Sequence, residues 1–347
     1  KTSIKKDAAM INSAGSDSRI RGLFQFYGAN RTGRWAGRLV QVQNLPRNYI
    51  DNIDQVRKEF VEKDYEYLVN KYENFSDIIS QLIRTAFIAP GKITVSDFAA
   101  IEARVLSWLA GEKWRMDVFA THGKIYEASA ARMFKINIED VTPEQRSVGK
   151  NAELALGYQG SIGAMAGLGS SLREDEMRST VKKWRKTNPR IVQLWHDMEK
   201  CAKLAYANKK RVVSNYRGVA FSYDGRILSI HLPSGKKLSY YEPTMGYNKF
   251  NSSCIKYKGM IQTIGKWGSI DTYGGKLVEN IVQAISRDIL AHTMQNFKGI
   301  VLHVHDEVAV EGDCLDELIE VMNKPIPWAK DLVLKSAGFV ADFYMKD

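Results

Sequence analysis

Residues 302–308 read Leu302-His303-Val304-His305-Asp306-Glu307-Val308, a short β-rich run with two carboxylates in its middle. Acids are poor interior residues for an apolar strand pair, because burying unpaired charge is costly. They persist there if they form a surface turn, or if a cation compensates them. A second carboxylate able to share that cation is Asp97, which ends the strand-like stretch Lys92-Ile93-Thr94-Val95-Ser96. Whether these two acids meet decides both the fold and the chemistry.

Working outward, the 347 residues exceed one typical compact domain and predict two or three subdomains. Hydrophobic residues make up 44% and charged residues 26%, enough apolar content for a sizeable core. Lys and Arg total 50 against 39 Asp and Glu, a net charge of +11. Such an excess favours polyanionic partners, nucleic acid first and acidic membrane second. Cys201, Cys254 and Cys314 are far apart, with no spacing that fits zinc or a disulfide scaffold, which agrees with a reducing cytoplasm. The chain opens at Lys1 without a secretory signal, and we expect its natural form to continue upstream. The uncharged window Leu154–Leu172 has the length of a membrane span, but five glycines and several polar residues break it.

Neither an internal repeat nor a low-complexity tract is visible. Residues 1–30 read as partly helical and lead into a Gly/Arg-rich loop (Gly28 to Arg38). Two helical patterns follow over 51–87, the second after an Asn74/Ser76 cap signal. A strand is predicted at 92–97 and a helix at 100–110, with Ile101, Val105, Leu106 and Leu109 on one face. From 113 to about 210 the chain reads as helical, broken at Thr142-Pro143, at the glycine run and at Asn188-Pro189. Residues 212–262 switch to β alternation, notably Ile227–Leu232 and Lys237–Tyr241. A helix over 275–297, the strand–turn–strand at Asp306 and a last helix and strand complete an α+β core built from both ends of the sequence.

Three constellations carry chemistry. In Asp97-Phe98-Ala99-Ala100-Ile101-Glu102 an acid ends a strand just before a helix, where it would either cap that helix or offer hard oxygen to Mg²⁺. His305-Asp306-Glu307 is either a polar β-turn or the second half of that cation site, and a zinc site on His303 and His305 is a further alternative. Arg146-x₃-Lys150-x₃-Leu154-x₃-Tyr158 steps by four along a helix face. It is either a solvated basic edge or a strip where cations hold a triphosphate and apolar groups pack on a base.

In this order, the three resemble motifs A, C and B of the family A DNA polymerases. Thr32-Gly33-Arg34, Gln43-Asn44-Leu45-Pro46, Ile83-Arg84-Thr85-Ala86-Phe87 and Asn280-x₂-Gln283 match further family landmarks. Leu156-Gly157-Tyr158-Gln159-Gly160 and Gly274-Gly275-Lys276-Leu277-Val278-Glu279-Asn280 look most like the bacteriophage branch. The resemblance runs from about residue 15 to the C-terminus.

It implies a right-hand polymerase fold with an antiparallel-sheet palm (31–112 and 263–347), a helical fingers insertion with a β-rich return (113–262) and a partial thumb (1–30). It implies template-directed DNA synthesis in which Asp97, Asp306 and the Phe98 carbonyl hold two Mg²⁺, with Mn²⁺ as a substitute. Glu307 becomes a supporting acid, Lys150 a triphosphate contact and proton donor, and Arg146, Leu154 and Tyr158 further nucleotide contacts. Glu102 looks like the steric gate against a ribose 2′-hydroxyl. Arg34, Arg84, Lys276, Asn280, Gln283 and His305 would touch the DNA. The implied partners are primer-template DNA and dNTPs, with an upstream nuclease domain or replication accessory proteins allowed, no membrane, and the host cytoplasm as setting. A single-subunit RNA polymerase or a non-catalytic nucleic-acid-binding relative are the alternatives.

Some residues depart from the family pattern. Leu154 stands where Phe or Tyr is usual, Tyr126 where many members have His, Ala99-Ala100 for Ser-Gln, and Gln159 for Gly. Asp64-Tyr65-Glu66 has the Asp-x-Glu form of a proofreading nuclease but no partner motifs.

Overall fold

The strand that carries Asp97 is longer than the predicted 92–97, since it begins at Ile88, which pairs with Phe343, and ends at Phe98. The computed structural model describes residues 2–248, 251–261 and 263–346. In chain order, α1 (Thr2–Ser13) leads to β1 (Phe24–Ala29) and β2 (Arg34–Gly37). Next come α2 (Ile53–Glu62), α3 (Tyr65–Lys71), α4 (Phe75–Leu82) and β3 (Ile88–Phe98). A helical run follows: α5 (Ile101–Ala110), α6 (Lys113–Ala120), α7 (Ile125–Phe134), α8 (Pro143–Leu156), α9 (Ile162–Gly167), α10 (Glu174–Thr187) and α11 (Pro189–Asn208). The β-rich stretch comprises β4 (Val212–Val213), β5 (Ala220–Tyr223), β6 (Ile227–His231), β7 (Lys237–Tyr247), β8 (Ser253–Ile261) and β9 (Lys266–Thr272). The chain closes with α12 (Gly274–Asn296), β10 (Ile300–Val304), β11 (Glu307–Glu311), α13 (Leu315–Asn323) and β12 (Ser336–Phe343).

These elements form two compact units. The first takes the chain up to Ala99, Leu290–Lys324 and the residues from Lys335 on. Its sheet has the antiparallel order β10-β11-β3-β12, so the central strand comes from the first third of the sequence and its neighbours from the last. Ile93 and Val95 of β3, Leu302 and Val304 of β10 and Ala309 of β11 join Leu23, Val40, Leu45 and Tyr344 in one buried cluster. Burial of such side chains is worth about 1.5–3 kcal/mol each, which fixes the register.

The second unit holds 100–289 and 325–334. In it, β4 to β9 form a six-stranded antiparallel meander. Leu228, Ile230, Leu238 and Tyr240 are buried, while Ser229 is half-buried and Ser239 exposed, the alternation of a sheet with one face covered. Among the helices, Trp184 and Trp195 stack with centroids 6.2 Å apart, and Trp195 Nε1 donates to the Gly157 carbonyl at 2.9 Å.

Three local expectations are revised. The Gly/Arg-rich stretch after residue 28 is not a loop but the return of the β1–β2 hairpin, whose Gly33 (φ +71°) supplies the turn. Residues 51–87 hold three helices rather than two. The extra one begins at Asp64, whose carboxylate accepts from the Tyr67 N–H at 2.8 Å, so the Asp-x-Glu stretch is a helix start. The β region also runs on to Thr272, past the predicted end at 262. Among the described residues no helix is long and apolar enough to cross a membrane, and the 154–172 window divides between α8 and α9.

Candidate active site

In the first unit, β3 and β11 set Asp97 directly opposite Glu307. On its other side Asp97 pairs with Ala337 of β12. The Phe98 N–H donates to the Asp306 carbonyl at 3.1 Å, which ties the end of β3 to the turn of the hairpin. The capping alternative for Asp97 is excluded, since it is a strand residue and Ala100 (φ 53°) is the N-cap of α5. His305 and Asp306 form the two-residue turn between β10 and β11, so the turn and the site are the same object. His305 takes the left-handed φ of 55°, a conformation that a non-glycine residue holds only where its surroundings enforce it.

The electrostatics suit a cation. Burial pushes the Asp306 carboxyl up to about 6, the nearby Asp97 carboxylate adds to this, and the Lys346 ammonium opposes it. A carboxylate pair held this way is short of positive charge, and hard oxygens of this kind match Mg²⁺ better than zinc. Among the described residues, no three His, Cys, Asp or Glu side chains gather as a metal site. A cation on Asp97 and Asp306 would therefore complete its shell with backbone, water and substrate oxygens. The His303/His305 zinc alternative is not supported: His303 is stacked on Phe24 (4.2 Å) and set edge-on to Trp35 (4.7 Å), while His305 sits exposed in the turn.

Glu307 is almost fully buried and bound at both oxygens. The Tyr344 hydroxyl donates to Oε1, and Lys346 Nζ lies 3.1 Å from Oε2. Tyr344 in turn accepts from Arg84 at 3.0 Å. Tyr344 and Lys346 were missed by sequence reasoning, and the only signal was an apolar strand end 37 residues beyond Glu307. Arg84 requires a correction. It is 2% exposed, and it donates to the carbonyls of Leu45 (2.6 Å) and Pro46 (3.1 Å), so it holds the first unit together and has no surface for DNA. Arg34 lies half-buried on β2.

In the second unit, Thr142 and Gln145 form a capping box at the start of α8, with Pro143 at its first turn. Gly149 permits close approach to α7, since a Cβ there would meet the Tyr126 carbonyl at 2.3 Å. On the same inner side Glu153 is bound by Arg115 at 2.9 and 2.5 Å and by Trp184 Nε1 at 2.8 Å. This rotation leaves Lys150 and Leu154 outward, Leu154 with 54% of its surface exposed. Arg146 is paired with Glu127 at 2.6 Å and lies over the Tyr126 ring.

Tyr158 is not on the helix. Helix α8 stops at Leu156, and Tyr158 occupies the turn that follows, where glycines at 157 and 160 end the helical period. There its hydroxyl donates to Glu102 Oε2 at 2.9 Å, which joins two residues that the sequence reading had assigned separately. Gln159 keeps the left-handed conformation (φ 66°) and accepts the Gly275 N–H at 2.8 Å, so it anchors the start of α12. Lys276, Glu279 and Gln283 form the half-exposed edge of α12, linked at 2.9 and 3.4 Å. Asn280 is a second correction. It is 3% exposed and donates to the Tyr240 hydroxyl at 2.8 Å, so its amide supports the meander rather than a groove.

Comparison with known proteins bears on the family and the fold. The family model described as DNA polymerase family A matches residues 1–214. A DNA polymerase of Bacillus phage SP02 is 48% identical across the whole chain, which spans 56% of that relative's length. DNA polymerase I of Caldicellulosiruptor bescii is 23% identical over 81% of this chain and 26% of its own. The polymerase domain of Pol1 from M. smegmatis, solved in complex with DNA primer-template and dNTP, superposes with a TM-score of 0.62 at 18% identity. That likeness covers 97% of this chain and 50% of the other, and it is one of fold.

Proposed function

The chain belongs to DNA polymerase family A, and from that premise we propose that it carries out template-directed DNA synthesis, adding dNTPs to a primer 3′-hydroxyl with release of pyrophosphate. The observation that supports this best is the Asp97–Asp306 pair, with Asp97 near the end of β3 and Asp306 in the turn that leads into the adjoining β11, joined through the Phe98 N–H. Residues 31–112 and 263–347 form the palm, 113–262 the fingers and 1–30 the base of a thumb.

Asp97, Asp306 and the Phe98 carbonyl are the groups that would hold two Mg²⁺, or Mn²⁺ in their place. Such ions, when bound, lower the pKa of an attacking hydroxyl and neutralise charge on the transferring phosphate. The chain's own residues do the rest. Lys150 holds the triphosphate and protonates the departing pyrophosphate, and Arg146 adds charge once it leaves Glu127. Leu154 and Tyr158 offer apolar surface to the base pair. Arg34, Lys276, Gln283 and His305 hold the DNA, Lys276 through phosphate and His305 at the primer end. Glu307 braces the turn through Tyr344 and Lys346. The working partners are primer-template DNA and dNTPs in a host cytoplasm.

Primer extension with deoxynucleotides against ribonucleotides tests this reading, and a ribonucleotide preference would overturn it. Glu102 is the discriminating residue, and Tyr158 holds its carboxylate in place. Glu102→Ala should reduce the deoxy-to-ribo ratio of kcat/KM by about 10–200-fold, the range over which small differences in pocket volume discriminate. Tyr158→Phe keeps the ring but releases Glu102, and should lose part of the same selectivity. An unchanged ratio in Glu102→Ala would remove the gate assignment.

A further inference from the structure

The six-stranded meander covers one face and leaves the other open. Leu228, Ile230, Leu238, Tyr240, Ile255 and Tyr257 are buried on the covered side. Cross-strand partners place Tyr241 beside Lys258, Lys258 beside Ser269, and Met260 beside Trp267 on the open side, with Lys237 farther along. Trp267 is 60% exposed, Met260 46%, and Lys237 and Lys258 are exposed. Trp267 meets Tyr241 edge-on with centroids 6.5 Å apart, and the Arg226 guanidinium lies 4.9 Å from the centre of the Tyr241 ring. Of the acids on these partnered strands, Asp271 is paired with Lys256 at 3.3 Å, and Glu242 is exposed next to Tyr241 in the chain. The result is a hydroxyl-rich, cationic face with aromatic rings set among the lysines.

The geometry points to a second nucleic-acid surface: the open face of the β4–β9 sheet binds single-stranded DNA, with Trp267 and Tyr241 stacking on bases and Lys237 and Lys258 on phosphates. It rests on the proposed DNA substrate and adds a binding site to it. The charge selects a polyanion. The exposed rings select a single strand, because stacking needs base faces that a duplex keeps covered. An anionic membrane would also attract lysines and tryptophan, and this is the competing outcome.

The test measures fluorescence anisotropy of a labelled oligothymidylate of about 16 nucleotides, near the upper site size of a single-strand-binding fold. Trp267→Ala should weaken binding about fivefold or more, and Trp267→Phe should restore most of it. Lys237→Ala with Lys258→Ala should reduce the slope of log affinity against log salt by about 1.4, at ~0.7 for each lost single-strand phosphate contact. Thermal melting of each variant checks that the sheet persists. Extension of a primer on a template with a one-nucleotide overhang should be unchanged, since none of these residues serves the reaction. Unaltered oligothymidylate affinity in a folded Trp267→Ala protein would overturn the inference. So would loss of binding to phosphatidylserine vesicles while oligothymidylate binding stays constant. Failure of the wild-type protein to extend any primer would instead count against the proposed function, and the oligothymidylate assay is independent of it.

Discussion

Asp306→Asn is expected to reduce primer extension by about a thousandfold, while making the metal-free protein more stable at neutral pH. The first effect follows from removing one of two carboxylates that would hold the catalytic ions, a loss of several kcal/mol of transition-state stabilisation at ~1.4 kcal/mol per decade. The second follows from the site's own electrostatics. Asp306 rises from 3.8 to about 6 in the folded protein, chiefly through burial. A raised carboxyl favours the folded state fully only below 3.8 and loses that contribution as pH climbs through about 6. Above pH 6 the wild-type ionised carboxylate therefore opposes folding by up to about 3 kcal/mol, and Asn does not. In the presence of a chelator, the melting temperature of Asp306→Asn should exceed that of the wild type at pH 7.5 and converge with it near pH 4. A variant that retains a tenth of wild-type extension, or melts lower at pH 7.5, would contradict this account.

The second large effect is expected at Glu153→Leu and, separately, Arg115→Met. The two side chains are 3% and 1% exposed, and their ion pair is shared with Trp184, Asn188 and Ser107. Breaking a buried pair from one side leaves an uncompensated charge, at a cost of about 3–5 kcal/mol. Each single variant should show a matching fall in denaturant-unfolding free energy. The double variant should recover much of it, because the charges leave together. Because Glu153 sets the rotation of α8, even the double variant should bind dNTP less tightly, read as a higher KM. Additive losses in the double variant would show that the pair is not coupled.

Part of this was legible in the sequence. Asp97 at the end of an apolar strand and Asp306 between two more stood out as candidates, and the resemblance to the polymerase motifs joined them as a pair. Part of the β meander was also visible, because β6 and β7 show a period of two, whereas β9 lies beyond the predicted span. Arg84 was assigned to DNA through the family resemblance, and only its contacts with the carbonyls of Leu45 and Pro46 explain its burial. Tyr158 was misread because a period of four was carried past the glycine that ends α8. The Tyr344–Glu307–Lys346 brace is a contact between distant positions, and local pattern carries no trace of it.

The central position of β3 also constrains how this protein is made. Both neighbours of β3, the strands β11 and β12, arrive roughly 200 residues later in synthesis. At translation speeds of about 5–20 residues per second, that strand waits about 10–40 s with both hydrogen-bonding edges unpaired. A newly emerging chain therefore has a long interval in which it is open to mispairing, and truncated translation products cannot assemble the carboxylate pair at all. A ribosome that stops early releases a sticky strand rather than a partial enzyme.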